Sequence, residues 1–122
     1  MWENVKDSFV IPSKFTVGGC TYNVEVVNNS DNDLDGALGD FVNLAHRIRI
    51  AKTYINDKGT VSDIPDNEFI KTYLHELGHC FGYYFNGDSS EELACAFSNF
   101  FYEYLTTRKW FILLYLKMIV VI

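Results

Sequence analysis

The sequence predicts an α+β fold: a small antiparallel sheet of three to four strands followed by two packed helices. Three observations predict it. Strand-like alternation is confined to the first half, a Gly18-Gly19 pair joins two alternating runs, and the second half carries apolar residues at three-to-four-residue spacing. Phe15 to Val27 reads as two strands around the glycine pair, because glycine accepts the left-handed backbone that a tight hairpin turn requires. Asp31-Asn-Asp-Leu-Asp-Gly36 copies the opening of a calcium loop, but Val42 stands where the bidentate glutamate belongs, so an acidic connecting loop is expected. Arg47-Ile-Arg-Ile-Ala alternates again, and Asp40 to Leu44 reads as a short strand leading into it.

The first helix is predicted around the run Phe69 to Phe85. Ser62 or Asp63 would cap it, Pro65 suits its first turn, and Asp66 and Glu68 favour its positive end. Phe69, Ile70, Tyr73, Leu74, Leu77, Cys80, Phe81 and Tyr84 then mark one buried side. Asn86-Gly87-Asp88 and Ser89-Ser90 should end this helix and cap a second, which opens with Glu91-Glu92 and carries an apolar arc of Leu93, Ala94, Phe97, Phe100, Phe101, Tyr104 and Leu105.

His75-Glu-Leu-Gly-His79 lies inside the first helix and uses two of only three histidines. Residues four apart share a helix face, so both imidazoles can reach one zinc ion while Glu76 stays close enough to handle a water. An open catalytic zinc site needs a third protein ligand. Gly82 fits a pattern in which another histidine follows, but Phe85 occupies that histidine's place, leaving Glu91 and Glu92. At about 100° per residue, Glu92 points away with Asn99 and Glu103, whereas Glu91 lies at the border of the apolar arc with Ala94, Cys95 and Ser98. These small residues would let two helices approach closely. Phase therefore favours Glu91, and one residue of phase error would reverse the choice. Glu76 would serve as general base; Tyr83, Tyr84 and His46 remain open as oxyanion donors. Cys80 turns about 100° away from His79 and is expected in the core.

The pattern resembles the small His-Glu-x-x-His metallopeptidase-like proteins of phages and prophages, distantly related to ImmA/IrrE-type peptidases. The resemblance runs from Ile11-Pro-Ser-Lys-Phe-Thr-Val-Gly-Gly through Tyr22-Asn-Val-Glu-Val, Arg47-Ile-Arg-Ile and the histidine motif to Glu91-Glu92 and the helix after it. It implies a zincin-like fold, a minimal gluzincin with an edge strand beside the motif helix. It also implies a Zn2+ held by His75, His79 and Glu91, with Glu76 catalytic in peptide-bond hydrolysis. The alternative is a catalytically inactive zinc-binding module that holds a regulatory protein partner. Under the peptidase expectation an exposed strand would take up a protein or peptide substrate. Arg47 and Arg49 share a face that would contact it or, as the favoured expectation, simply face water.

A chain of 122 residues holds one core. The expected division is an N-terminal extension over 1–10, the zincin-like domain over 11–106, and an apolar tail over 107–122. A net charge of -6 argues against a nucleic-acid partner. Three cysteines at no zinc-knuckle spacing, and no apolar opening stretch with a cleavage site, fit the cytoplasm. The tail from Trp110 to Ile122 is interrupted by Lys117 and falls short of the roughly 20 residues of a spanning helix, so packing or a partner contact is expected ahead of membrane attachment.

Overall fold

The structure, a computed structural model, describes residues 10–87 and 90–107. The expected N-terminal extension, apart from Val10, and the expected tail, apart from Thr107, lie outside the described residues, as do Asp88 and Ser89 of the expected turn. The elements are β1 (Lys14–Val17), β2 (Cys20–Val27), α1 (Ser30–Asp33), β3 (Gly39–Val42), β4 (Arg47–Ala51), β5 (Thr53–Ile55), β6 (Val61–Asp63), α2 (Asp66–Asn86) and α3 (Glu91–Thr107). This is an α+β arrangement in which a four-stranded sheet of order β1-β2-β4-β3 is followed by two packed helices.

The expected hairpin is present, with Gly18 and Gly19 at φ of 58° and 82°. The sheet, however, is mixed and not antiparallel throughout. β2 and β4 pair in parallel, Asn23 opposite Arg47 and Val27 opposite Ala51, while β1 and β3 flank them antiparallel. Parallel partners need a connection of about a dozen residues or more to carry the chain back. The segment between β2 and β4 is long enough, because it includes α1 and β3. Alternation in Arg47-Ile-Arg-Ile-Ala reveals a strand but not the direction of its partner.

The central position of β4 explains its chemistry. Ile48 and Ile50 are 0% exposed and pack with Val24, Ile70, Tyr73, Leu74 and Leu105, so the sheet and both helices share one core. A smaller cluster of Leu34, Ala51 and Ile64 fills the space beside α1. The acidic loop is partly helical: Asn29 caps α1 by accepting the Asp31 amide at 2.9 Å, and Asp31 accepts the Ile55 amide at 2.6 Å. Its carboxylates thus tie turns together.

β5 and β6 form a second, two-stranded sheet that the alternation did not predict, since three residues are too few to show a period. Asn56 holds the turn between them by donating to Thr60 Oγ1 at 2.8 Å and Ser62 Oγ at 2.7 Å. Ser62 and Asp63 therefore belong to a strand and do not cap the helix. α2 starts after Pro65, whose side chain has no hydrogen to give or lone pair to accept one, and the Pro65 carbonyl accepts the Phe69 amide at 2.9 Å. At the other end Gly87 adopts φ 73° and its amide bonds the Tyr83 carbonyl, a left-handed stop that favours glycine. Ser90 Oγ accepts the Leu93 amide at 3.1 Å and so caps α3 as expected.

The apolar faces are narrower than the spacing suggested. On α2 the buried stripe is Ile70, Tyr73, Leu74 and Cys80, while Phe81 and Tyr84 are exposed. On α3, Phe100 and Tyr104 are exposed as well. Among the described residues no helix is long and apolar enough to cross a membrane.

Candidate metal centre

Two helices and one edge strand build the site. Gly78, one residue before His79, lets α3 lie directly on α2: a Cβ there would stand 2.9 Å from Ala94 Cα and 3.0 Å from Phe97 Cβ. This close crossing brings the first turn of α3 over the two histidines. His79 Nε2 lies 2.7 Å from Glu91 Oε1, and His75 Nε2 lies 3.3 Å from Glu91 Oε2. The two rings sit edge to face, 4.9 Å apart. The structure therefore brings together His75, His79 and Glu91. Glu92, about 100° further round α3, is exposed.

These separations can be compared with the needs of a metal. A tetrahedral zinc with bonds of about 2.0–2.1 Å holds neighbouring ligand atoms about 3.3 Å apart. The observed nitrogen-to-oxygen distances of 2.7–3.4 Å bracket that value, and two imidazoles with one carboxylate are a donor set suited to zinc. Each histidine is thus at ligand separation from Glu91, while the three donor residues whose atoms all lie within 4.8 Å of one another, among the described residues, are His75, Glu91 and Cys95. Burial acts to raise the Glu91 pKa, but its hydrogen bonds to His79 and His75 outweigh this and hold the carboxyl below its usual range. Its side chain remains 74% exposed, so little stability follows from the pairing.

Glu76 faces the other way, toward β3, and is only 7% exposed. Burial, reinforced by the nearby charges of Asp40 and Glu91, pushes its carboxyl up to about 7. Gly39 permits the contact: a Cβ on Gly39 would lie 2.7 Å from Thr72 Cγ2 and 3.3 Å from Glu76 Cγ, so β3 runs against α2 with its backbone. One cavity of about 290 Å³ opens on the His75 side of this contact and another of about 430 Å³ on the His79 side, both bordered by Gly39 and Glu76. Both recesses thus meet at Glu76. β3 is an edge of its sheet.

Asp40 and Arg49 are cross-strand partners joined by two hydrogen bonds, Nε to Oδ1 at 3.0 Å and Nη2 to Oδ2 at 2.5 Å. The expectation that Arg49 belongs to a solvated face is thereby corrected; it clamps the acid beside Glu76. Arg47 departs too, with its Nε buried.

Of the three oxyanion donors left open, only Tyr83 borders the larger cavity with Glu76 and His79. His46 lies against Tyr22, ring centroids 5.1 Å apart, and Tyr84 lies by the Gly18 turn. Cys80 is a core residue as expected: it is 2% exposed, and burial pushes its thiol up to about 11. Phe85 is exposed and stacks on Phe81, away from the ligand set.

Sequence reasoning missed Asp40 and Cys95. Cys95 Sγ lies 3.9 Å from His75 Nδ1, and the donor atoms of His75, Glu91 and Cys95 fall within 4.8 Å of one another. Its four-residue spacing from Glu91 was a usable signal, because that spacing places both on one helix face. Asp40 offered no such signal, since cross-strand pairing depends on a register that the sequence does not display. No protein-family model, curated protein or solved structure matches the chain.

Proposed function

We propose that this protein is a zinc-dependent metallopeptidase of minimal zincin type, akin to the phage and prophage proteins its motif resembles, and that it works in the cytoplasm on a protein or peptide. The observation that carries this is the approach of both His75 and His79 to Glu91 at ligand separations, with Glu76 buried beside them. When bound, zinc supplies a Lewis acid that polarises a peptide carbonyl and lowers the pKa of a coordinated water towards about 7.

The chain's own residues supply the rest. His75 and His79 hold the ion from α2, and Glu91 completes the set from α3. Glu76 takes the proton of the attacking water and passes it to the leaving amine. Burial raises its pKa to about 7, which suits a group that takes and returns a proton near neutral pH. The outer edge of β3 receives the substrate as an added strand, which lays a peptide bond across the Gly39–Glu76 contact between the two cavities. Tyr83, which borders the larger cavity with Glu76 and His79, would donate to the carbonyl oxygen. Free Cys20, Cys80 and Cys95 suit a reducing compartment.

The test uses zinc-loaded protein and a mixture of unfolded proteins, with new termini read by mass spectrometry. Wild type should cleave, while Glu76→Gln should retain zinc and lose cleavage by at least about a hundredfold. Cleavage surviving the substitution would remove Glu76 as base. A wild type that holds zinc and cleaves nothing would leave a binding module instead.

A further inference from the structure

The Cys95 sulfur comes close to two of the proposed metal ligands at once. It lies 3.9 Å from His75 Nδ1, and one donor atom from each of His75, Glu91 and Cys95 falls within 4.8 Å of the other two. Zinc–nitrogen bonds of about 2.0–2.1 Å and a zinc–sulfur bond of about 2.3 Å hold tetrahedral neighbours about 3.6 Å apart. The sulfur therefore stands only a few tenths of an ångström beyond the separation of two donors that share an ion. Glu91 and Cys95 are four residues apart on α3, so one helix face presents both to His75. Packing does not account for the residue: Cys95 is exposed, whereas Cys80 is buried and Cys20 is half-buried on β2.

We propose that Cys95 is a fourth protein ligand of the metal centre, so that the reduced protein holds zinc among His75, His79, Glu91 and Cys95. This rests on the zinc reading above and adds a control to it. Nε2 of His75 is the nitrogen turned to Glu91, and a change of rotamer at the short, exposed Cys95 side chain carries its sulfur to the same ion without disturbing the core. The thiolate forms the zinc–sulfur bond, and the thiol proton passes to solvent. Four protein ligands make a closed zinc site, whereas a catalytic one keeps a position open for water. The sulfur thus takes the position that the attacking water needs, and peptide cleavage waits on its departure.

Cobalt substitution and zinc titration of the full chain test the assignment. Wild type loaded with cobalt(II) should show a sulfur-to-metal charge-transfer band that Cys95→Ser lacks. Chelator competition should show zinc binding weakened in Cys95→Ser by at least the roughly 10–100-fold that follows loss of an outer partner. Serine keeps a hydrogen-bonding group of similar size but offers no thiolate, so a role in hydrogen bonding alone would survive that substitution. At saturating zinc, Cys95→Ser should cleave unfolded protein several-fold faster than wild type. A cobalt spectrum without the sulfur band, or equal zinc affinity in wild type and Cys95→Ser, overturns Cys95 as a ligand and leaves the centre of His75, His79 and Glu91 standing. A sulfur band with cleavage no faster in Cys95→Ser overturns the closed site. A wild type that binds neither zinc nor cobalt removes the zinc reading, and the inference with it.

Discussion

Replacing Gly78 by alanine sets two effects of opposite sign against each other. Inside an exposed helix, Gly→Ala stabilises by about 1 kcal/mol, because alanine loses less conformational freedom on folding. Here the new methyl would meet Ala94 Cα at 2.9 Å, Phe97 Cβ at 3.0 Å and the Ala94 carbonyl oxygen at 3.1 Å. Ordinary contact begins near 3.4 Å, so α3 must retreat by about 0.5 Å. None of the three atoms is the free end of a side chain that could rotate away. Overpacking of this kind costs about 1–3 kcal/mol, and an unyielding neighbour places it in the upper half of that range. The net expectation is a loss of about 1–2 kcal/mol, which lowers the melting temperature of a domain of this size by several degrees. Glu91 rides on the helix that moves. Metal-ligand distances tolerate only about 0.2 Å, so zinc affinity should fall by at least about tenfold. Thermal melts with chelator present and zinc titrations of the same samples read the two effects separately. A melting temperature that rises by several degrees, with zinc affinity unchanged, would refute the close crossing of α2 and α3 on which the ligand set depends.

Other perturbations probe the core and the buried acid. Ile48→Ala, on the central strand at 0% exposure, should cost about 2–5 kcal/mol, whereas Leu44→Ala, in an exposed turn, should stay within about 0.5 kcal/mol; equal shifts in denaturant midpoint would contradict the placement of β4. In zinc-stripped protein Glu76 has its pKa raised from 4.5 to about 7. Below 4.5 the acid is protonated in both folded and unfolded chains. Between 4.5 and about 7 the unfolded chain ionises first, so stability drops as pH rises, by up to about 3 kcal/mol. Glu76→Gln cannot ionise, and its stability relative to wild type should therefore grow from pH 4.5 to pH 8; a constant difference across that range would show that Glu76 is not desolvated.

Particular residues show how far the sequence reached. The hairpin was legible because Gly18 and Gly19 can adopt the positive φ that a two-residue turn demands. The helices were legible because their apolar spacing repeats over several turns, and Gly87 marks the stop. Helical phase also favoured Glu91 over Glu92, by a margin that one residue of phase error would reverse. Properties set by long-range partners were hidden. Ile48 and Ile50 look the same whether β2 runs with or against them. Arg49 resembles a surface cation until register places Asp40 opposite it. Phe81, Phe100 and Tyr104 are apolar yet exposed, so hydrophobic type overstated the width of the buried faces. At the centre itself, the spacing gave the histidines and Glu76, while the contact between Cys95 and His75 required two helices to be docked.

Zinc content per chain, in wild type, Glu91→Ala and Glu92→Ala, addresses the ligand set most directly. One zinc in wild type and in Glu92→Ala, with its loss from Glu91→Ala, is the expected result. A wild type that holds no zinc, or a Glu91→Ala protein that keeps it at wild-type affinity, would contradict a metal centre made of His75, His79 and Glu91.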